Sequence, residues 1–137
     1  MERIVNYLDI PGEEKSAVIE RLFHIGFCPA HGRQTTVKRE MEQSKRDALP
    51  QYLFVFREDE LIGYLFLIGE ETRRGRIFPW WAAGNPDELP LETASRLLEC
   101  GIRLSRQCGC PSLADRLRED LERQKKGIGR RPEDACR

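Results

Sequence analysis

Residues 51–70 read QYLFVFREDELIGYLFLIGE, two apolar, aromatic-rich runs on either side of the charged break Arg57-Glu58-Asp59-Glu60. Before the break Tyr52, Phe54 and Phe56 alternate with Leu53 and Val55; after it come Leu61, Tyr64, Leu65, Phe66, Leu67 and Ile68. Runs of this kind are strands buried on one or both faces, so the stretch is a β-hairpin and the expected centre of the core. Gly63 has no side chain to pack, which predicts a bulge or a close backbone approach inside the second strand.

Upstream, Arg3 to Ile10 predicts a short strand through Ile4, Val5, Tyr7, Leu8 and Ile10. Pro11 then opens a helix with Glu13 and Glu14 in its first turn. Val18, Ile19, Leu22, Phe23 and Ile25 form its apolar stripe, and Gly26 is its stop. The stretch from Thr35 to Ala48 suits a mostly solvated second helix with Val37, Met41 and Ala48 as its buried side, closed by Pro50. Downstream of the hairpin, Arg76 to Ala82 is a third extended run. Pro79 assigns it to an edge or a bend, since proline donates no ladder hydrogen bond. Pro90 starts a helix with Ala94, Leu97, Leu98, Gly101 and Leu104 on one side, ending at Gly109. Another follows from Pro111 to about Lys126, carried by Leu113, Leu117 and Leu121. The fold class is therefore α+β: a mostly antiparallel sheet flanked by helices, two of them C-terminal.

At 137 residues, with 39% hydrophobic and 34% charged, the chain suits one domain, expected over 1–126, with a basic tail over 127–137 too poor in apolar residues to order itself. A formal charge of zero gives no global field towards nucleic acid or membrane. The N-terminal stretch has no signal-peptide pattern and no run long enough to span a bilayer. Five cysteines, an odd number, suit free thiols in a reducing cytoplasm.

The order strand, helix, helix, hairpin, with Ile62-Gly63-Tyr64 opening the hairpin's second strand, resembles the GNAT superfamily of N-acetyltransferases, whose second and third strands carry a short charged turn followed by a hydrophobic strand of this form. The resemblance implies transfer of an acetyl group from acetyl-CoA to an amine, with the pyrophosphate held by backbone N–H groups at a helix N-terminus. The family's signature, Q/R-x-x-G-x-G/A, stands between its fourth strand and the next helix. Here that place reads Ala83-Gly84-Asn85-Pro86-Asp87-Glu88-Leu89-Pro90, where two prolines lack N–H groups and two acids repel phosphate. The signature itself occurs at Gln124-Lys125-Lys126-Gly127-Ile128-Gly129. The resemblance therefore implies Gln124, Lys125, Lys126, Gly127, Gly129 and Arg130 as cofactor contacts. Glu70, Tyr64 and Glu88 are the titratable candidates for proton transfer beside the third extended run.

Three function classes follow: an acyl-CoA-dependent N-acetyltransferase acting on an amine, a non-catalytic interaction or regulatory module with a protein partner, and a nucleic-acid accessory protein. The last depends wholly on Arg123, Lys125, Lys126, Arg130 and Arg131. Interspersed acids, Glu119, Asp120, Glu122, Glu133 and Asp134, make a solvated helix end at least as good a reading. Cys28, His31, Cys108 and Cys110 have the right types for zinc, but neither pair has knuckle spacing, so no metal is expected. Adjacent Trp80 and Trp81 predict two packed rings on opposite faces of a strand, or one packed and one beside a ligand.

Overall fold

The computed structural model describes residues 2–25, 34–73, 76–84 and 89–126. Strand β1 (Glu2–Asn6) precedes helices α1 (Lys15–His24) and α2 (Gln34–Glu42). Strands β2 (Gln51–Arg57), β3 (Glu60–Arg73) and β4 (Arg76–Gly84) follow, then helices α3 (Leu91–Gln107) and α4 (Pro111–Lys125). The strands form one antiparallel sheet in the order β1-β2-β3-β4. The hairpin lies at its centre as the pattern requires, and β4, which carries Pro79, lies at an edge.

Both faces of the hairpin are buried, and its side chains sort by chemistry. Tyr52, Phe54, Phe56, Leu61, Tyr64 and Phe66 pack with Tyr7, Ile10 and the stripes of α1 and α2; Leu53, Val55, Leu65 and Leu67 pack with α3 and α4. The period-2 pleat produces this division, since one parity of each strand is mainly aromatic and the other aliphatic. On the aromatic face Phe66 meets Tyr52 and Phe54 edge-on, with centroids 5.1 and 5.5 Å away. Such geometry contributes about 0.5–1.5 kcal/mol per pair beyond burial. The pairing slips between Val55 and Phe56, where Gly63 stands opposite Val55 and Leu61 opposite Phe56, so the predicted bulge adjoins Gly63.

Three expected elements are shorter in the structure. The first strand ends at Asn6 instead of running to Ile10, because the Asn6 side chain accepts a hydrogen bond from the Leu8 N–H and caps a 3₁₀ turn over Tyr7–Asp9. Likewise α2 stops at Glu42 instead of Ala48. Ser44 turns back on Met41 through both its N–H and its hydroxyl, and Gln51 holds the turn that follows: its amide donates to the carbonyls of Lys45 and Ala48 while its Oε1 accepts from Asn6 at 2.9 Å. Val37 and Met41 are buried as expected, whereas Ala48 is exposed. The N-terminal helix begins at Lys15, after a 3₁₀ turn over Gly12–Glu14, instead of at Pro11.

The C-terminal helices form a hairpin. Gly109 takes φ +77°, the Gly109 N–H donates to Arg106 O at 3.0 Å and the Cys110 N–H to Ser105 O at 2.8 Å, and Pro111 starts α4. These are the paired bonds of a Schellman stop followed by a proline start. The register of the helix pair is set at Gly101: a Cβ there would lie 2.7 Å from Leu65 Cδ2 and 3.1 Å from Leu117 Cδ1. Here α3 sits directly on β3 and α4, an approach that only hydrogen permits. Gly101→Val is expected to lower stability by about 2 kcal/mol or more through overpacking. Gly12→Ala, with nothing within 4 Å of the new carbon, should leave the denaturant midpoint nearly unchanged. Equal midpoints for the two variants would contradict the close packing of α3.

Candidate functional site

The chain direction brings together two segments that are remote in sequence. Because Gly101 and Leu117 meet and lie equally far along the chain from Gly109, the end of α4 runs back to the level of the start of α3, where Gln124 comes abreast of Ala94. The start of α3 follows the end of β4, and Leu89, buried with Ala94 and Leu121 in one cluster, anchors that entry. The result is a corner built from the end of β4, the start of α3 and the end of α4.

Pro90 is the N-cap of α3 and makes no side-chain cap, so among the described residues the backbone N–H groups of the first turn, beside Glu92, have no capping side chain. The first intrahelical bond runs from the Ala94 N–H to Pro90 O at 2.9 Å. Across from it, Lys125 and the C-cap residue Lys126 are exposed at the C-terminal end of α4, which the helix dipole makes favourable for cations. Gln124 is half-buried, and its Oε1 is enclosed with no hydrogen-bond partner among the described residues. Gly127, Gly129 and Arg130 lie outside the described residues, as does the whole stretch from Asn85 to Glu88.

Of the three titratable candidates, the two within the described residues, Tyr64 and Glu70, stand at separate places along β3. Tyr64 is 2% exposed, its ring 4.6 Å from that of Phe66 inside the aromatic face. Glu70 stands opposite Pro79 in the ladder, six positions further along β3, which is about 20 Å at strand rise. In the same ladder Trp81 stands opposite Leu67 and Trp80 opposite Gly69, with a register slip between them.

Among the described residues no cluster of His, Cys, Asp and Glu has a metal-binding arrangement, and no helix is long and apolar enough to cross a membrane. Cys28 and His31 lie outside the described residues. Cys108 and Cys110 occupy the Schellman turn. Burial, reinforced by the Asp47 carboxylate and the Cys110 thiol, pushes the Cys108 thiol up, away from the thiolate that a nucleophile needs.

A feature missed in the sequence is the groove between β1, the start of α1 and the β2–β3 turn, about 390 Å³ in volume. Its polar lining comes from Arg3, Asp9, Glu14, Arg21 and Asp59, and its floor includes Val5, Ile10, Val18 and Phe56. No local motif joins these positions; only the alternation of Arg3 and Val5 on one side of β1 hinted at a mixed face.

Comparison of the chain with family models, with curated proteins and with solved structures finds no match.

The strongest protonation shifts belong to buried phenols. Burial, then a 2.7 Å hydrogen bond to Glu42, pushes Tyr7 up; burial, then the Glu40 charge, pushes Tyr52 up to about 12. A raised phenol contributes stability that is complete below the ordinary value of 10 and is lost as pH rises towards about 12. Chemical denaturation at stepped pH should therefore show an alkaline loss that Tyr52→Phe reduces by on the order of 2 kcal/mol. An unchanged alkaline slope in that variant would contradict the burial of Tyr52.

Proposed function

We propose that the protein is a GNAT-like domain of the acyl-CoA-dependent N-acetyltransferase type, degenerate at its phosphate-binding loop, whose cofactor site is the corner between β4, α3 and α4. The observation that carries this reading is the element order: a strand, two helices on one face, three successive antiparallel strands, and a helix on the other face that begins directly after the fourth strand. That is the order the resemblance implies, and α3, whose N-cap residue Pro90 makes no side-chain cap, follows the fourth strand as the helix that the family uses for pyrophosphate does. The helical hairpin supports a role for the displaced signature, since it carries Gln124, Lys125 and Lys126 back towards that helix start. Cations there favour a diphosphate. Weak binding of acetyl-CoA follows, with an amine as the acyl acceptor if transfer occurs.

A second reading, a non-catalytic interaction module with a protein partner, is favoured by one observation: Tyr64 is enclosed in the core and closed to substrate. Nucleic acid is the least supported partner, because the described cations of the tail segment sit on a helix end that also carries Glu119 and Glu122.

Calorimetric titration with acetyl-CoA tests the proposal. The chain should bind saturably, and Lys125→Ala with Lys126→Ala should weaken binding by about tenfold or more, about 1.4 kcal/mol, with a steep dependence on salt. Release of the CoA thiol on adding amines distinguishes the two readings. Thiol release supports the transferase, binding without release supports the non-catalytic module, and no binding of acetyl-CoA at all overturns the cofactor site.

A further inference from the structure

The groove beside β1 is on the opposite edge of the sheet from the acetyl-CoA corner, and its charges are arranged by end. At one end the Arg3 guanidinium donates to Glu58 O at 3.2 Å with its carbon 5.7 Å from the Phe56 ring centroid, and Arg21 donates to Asp59 O. Two consecutive carbonyls of one β-turn thus hold both guanidinium groups at the same mouth. Among the described residues neither arginine is paired with a carboxylate, so each keeps donors to spare. Of the groove's own lining, two guanidinium groups and one carboxylate, Asp59, stand at this end; Glu58 and Glu60 of the same turn line an adjoining depression with Arg21 and Arg57.

The other end is acidic. Arg46 already neutralises Asp9 at 2.5 Å, whereas the Glu14 carboxylate makes no ion pair among the described residues. Glu14 occupies the N-cap position of α1 without a side-chain cap, and Arg21 lies two turns further along the same helix, so the two ends are about 10 Å apart at 1.5 Å per residue. Between them the floor is apolar, formed by Val5, Ile10, Val18 and Phe56. Along one side runs β1, which is paired with β2 and has no strand on its other edge among the described residues.

A ligand that matches this lining is anionic at one end, cationic about 10 Å away and apolar between. An extended chain rises about 3.3–3.6 Å per residue, so a peptide of about three apolar residues with both termini free has that charge separation. Its bulk suits a groove of about 390 Å³. The planar forks of Arg3 and Arg21 fit a terminal carboxylate, and an open strand edge accepts extended backbone. We propose that the groove binds a short apolar peptide with free termini, its carboxylate on Arg3 and Arg21 and its ammonium beside Glu14. This site does not depend on acetyl-CoA.

The probe is the tripeptide Ala-Val-Ala, titrated into the full chain by NMR chemical shift or calorimetry beside its C-terminally amidated and N-terminally acetylated forms. The free peptide should bind saturably with shifts at Val5, Val18 and Phe56. Amidation should weaken it by about tenfold, the loss of a charge-assisted fork. Arg3→Ala and Arg21→Ala should each weaken the free peptide several-fold and leave the amidated form unaffected. Glu14→Gln should act only on forms with a free N-terminus. These side chains are exposed, so unaltered melting of the variants will show that the fold persists. No saturable shift at millimolar peptide, equal affinity for the amidated form, or equal affinity in the arginine variants would each overturn the proposal.

Discussion

The structure depends on the burial of β2 and β3 on both faces. A strand offers two rows of side chains, and in Tyr52–Phe56 and Tyr64–Leu67 neither row is polar, so the hairpin needs a layer on each side to leave water. The two layers differ because the rows differ: α1 and α2 cover aromatic rings, and α3 and α4 cover Leu53, Val55, Leu65 and Leu67. Gly101 lets α3 descend onto Leu65, and through Leu117 it also sets how far α4 returns along α3.

From that packing the two candidate sites follow as consequences at opposite edges. Beyond β4 the returning α4 brings Lys125 and Lys126 towards the start of α3; a shift of one turn in the helical hairpin would move them about 5.4 Å along its axis. Beside β1 the groove exists because the strand ends at Asn6 and the chain turns through Tyr7–Asp9 before α1 begins, which leaves α1 offset from the sheet edge. The β2–β3 turn closes its mouth. Glu58 there adopts φ 57°, and the carbonyls of Glu58 and Asp59 face the two arginines.

What the sequence disclosed was set by periodicity and by residues with one conformational meaning. The hairpin, its bulge beside Gly63, the edge position of Pro79 and the stop at Gly109 all express such local rules. The ends of β1 and α2 were misread because side-chain bonds there override the apolar pattern: Asn6 accepts from the Leu8 N–H and donates to Gln51 Oε1 across 45 positions, and Gln51 donates to the Lys45 and Ala48 carbonyls. The groove was illegible for the same reason, since Arg3, Glu14, Arg21 and Asp59 are brought together by tertiary packing alone. The glycine-containing motif that starts at Gln124 was visible in the sequence, but the return of its helix towards the start of α3 required the register at Gly101.

The central claim is that the doubly buried hairpin is the last part of the fold to open. Native-state amide hydrogen exchange measures this directly. The amides of Leu53–Phe56 and Tyr64–Leu67 should exchange only by global unfolding, with the same free energy that denaturant titration yields and a value at or above that of any amide in α3 or α4. Exchange of these strands by local opening, at free energies well below those of the C-terminal helices, would contradict the account.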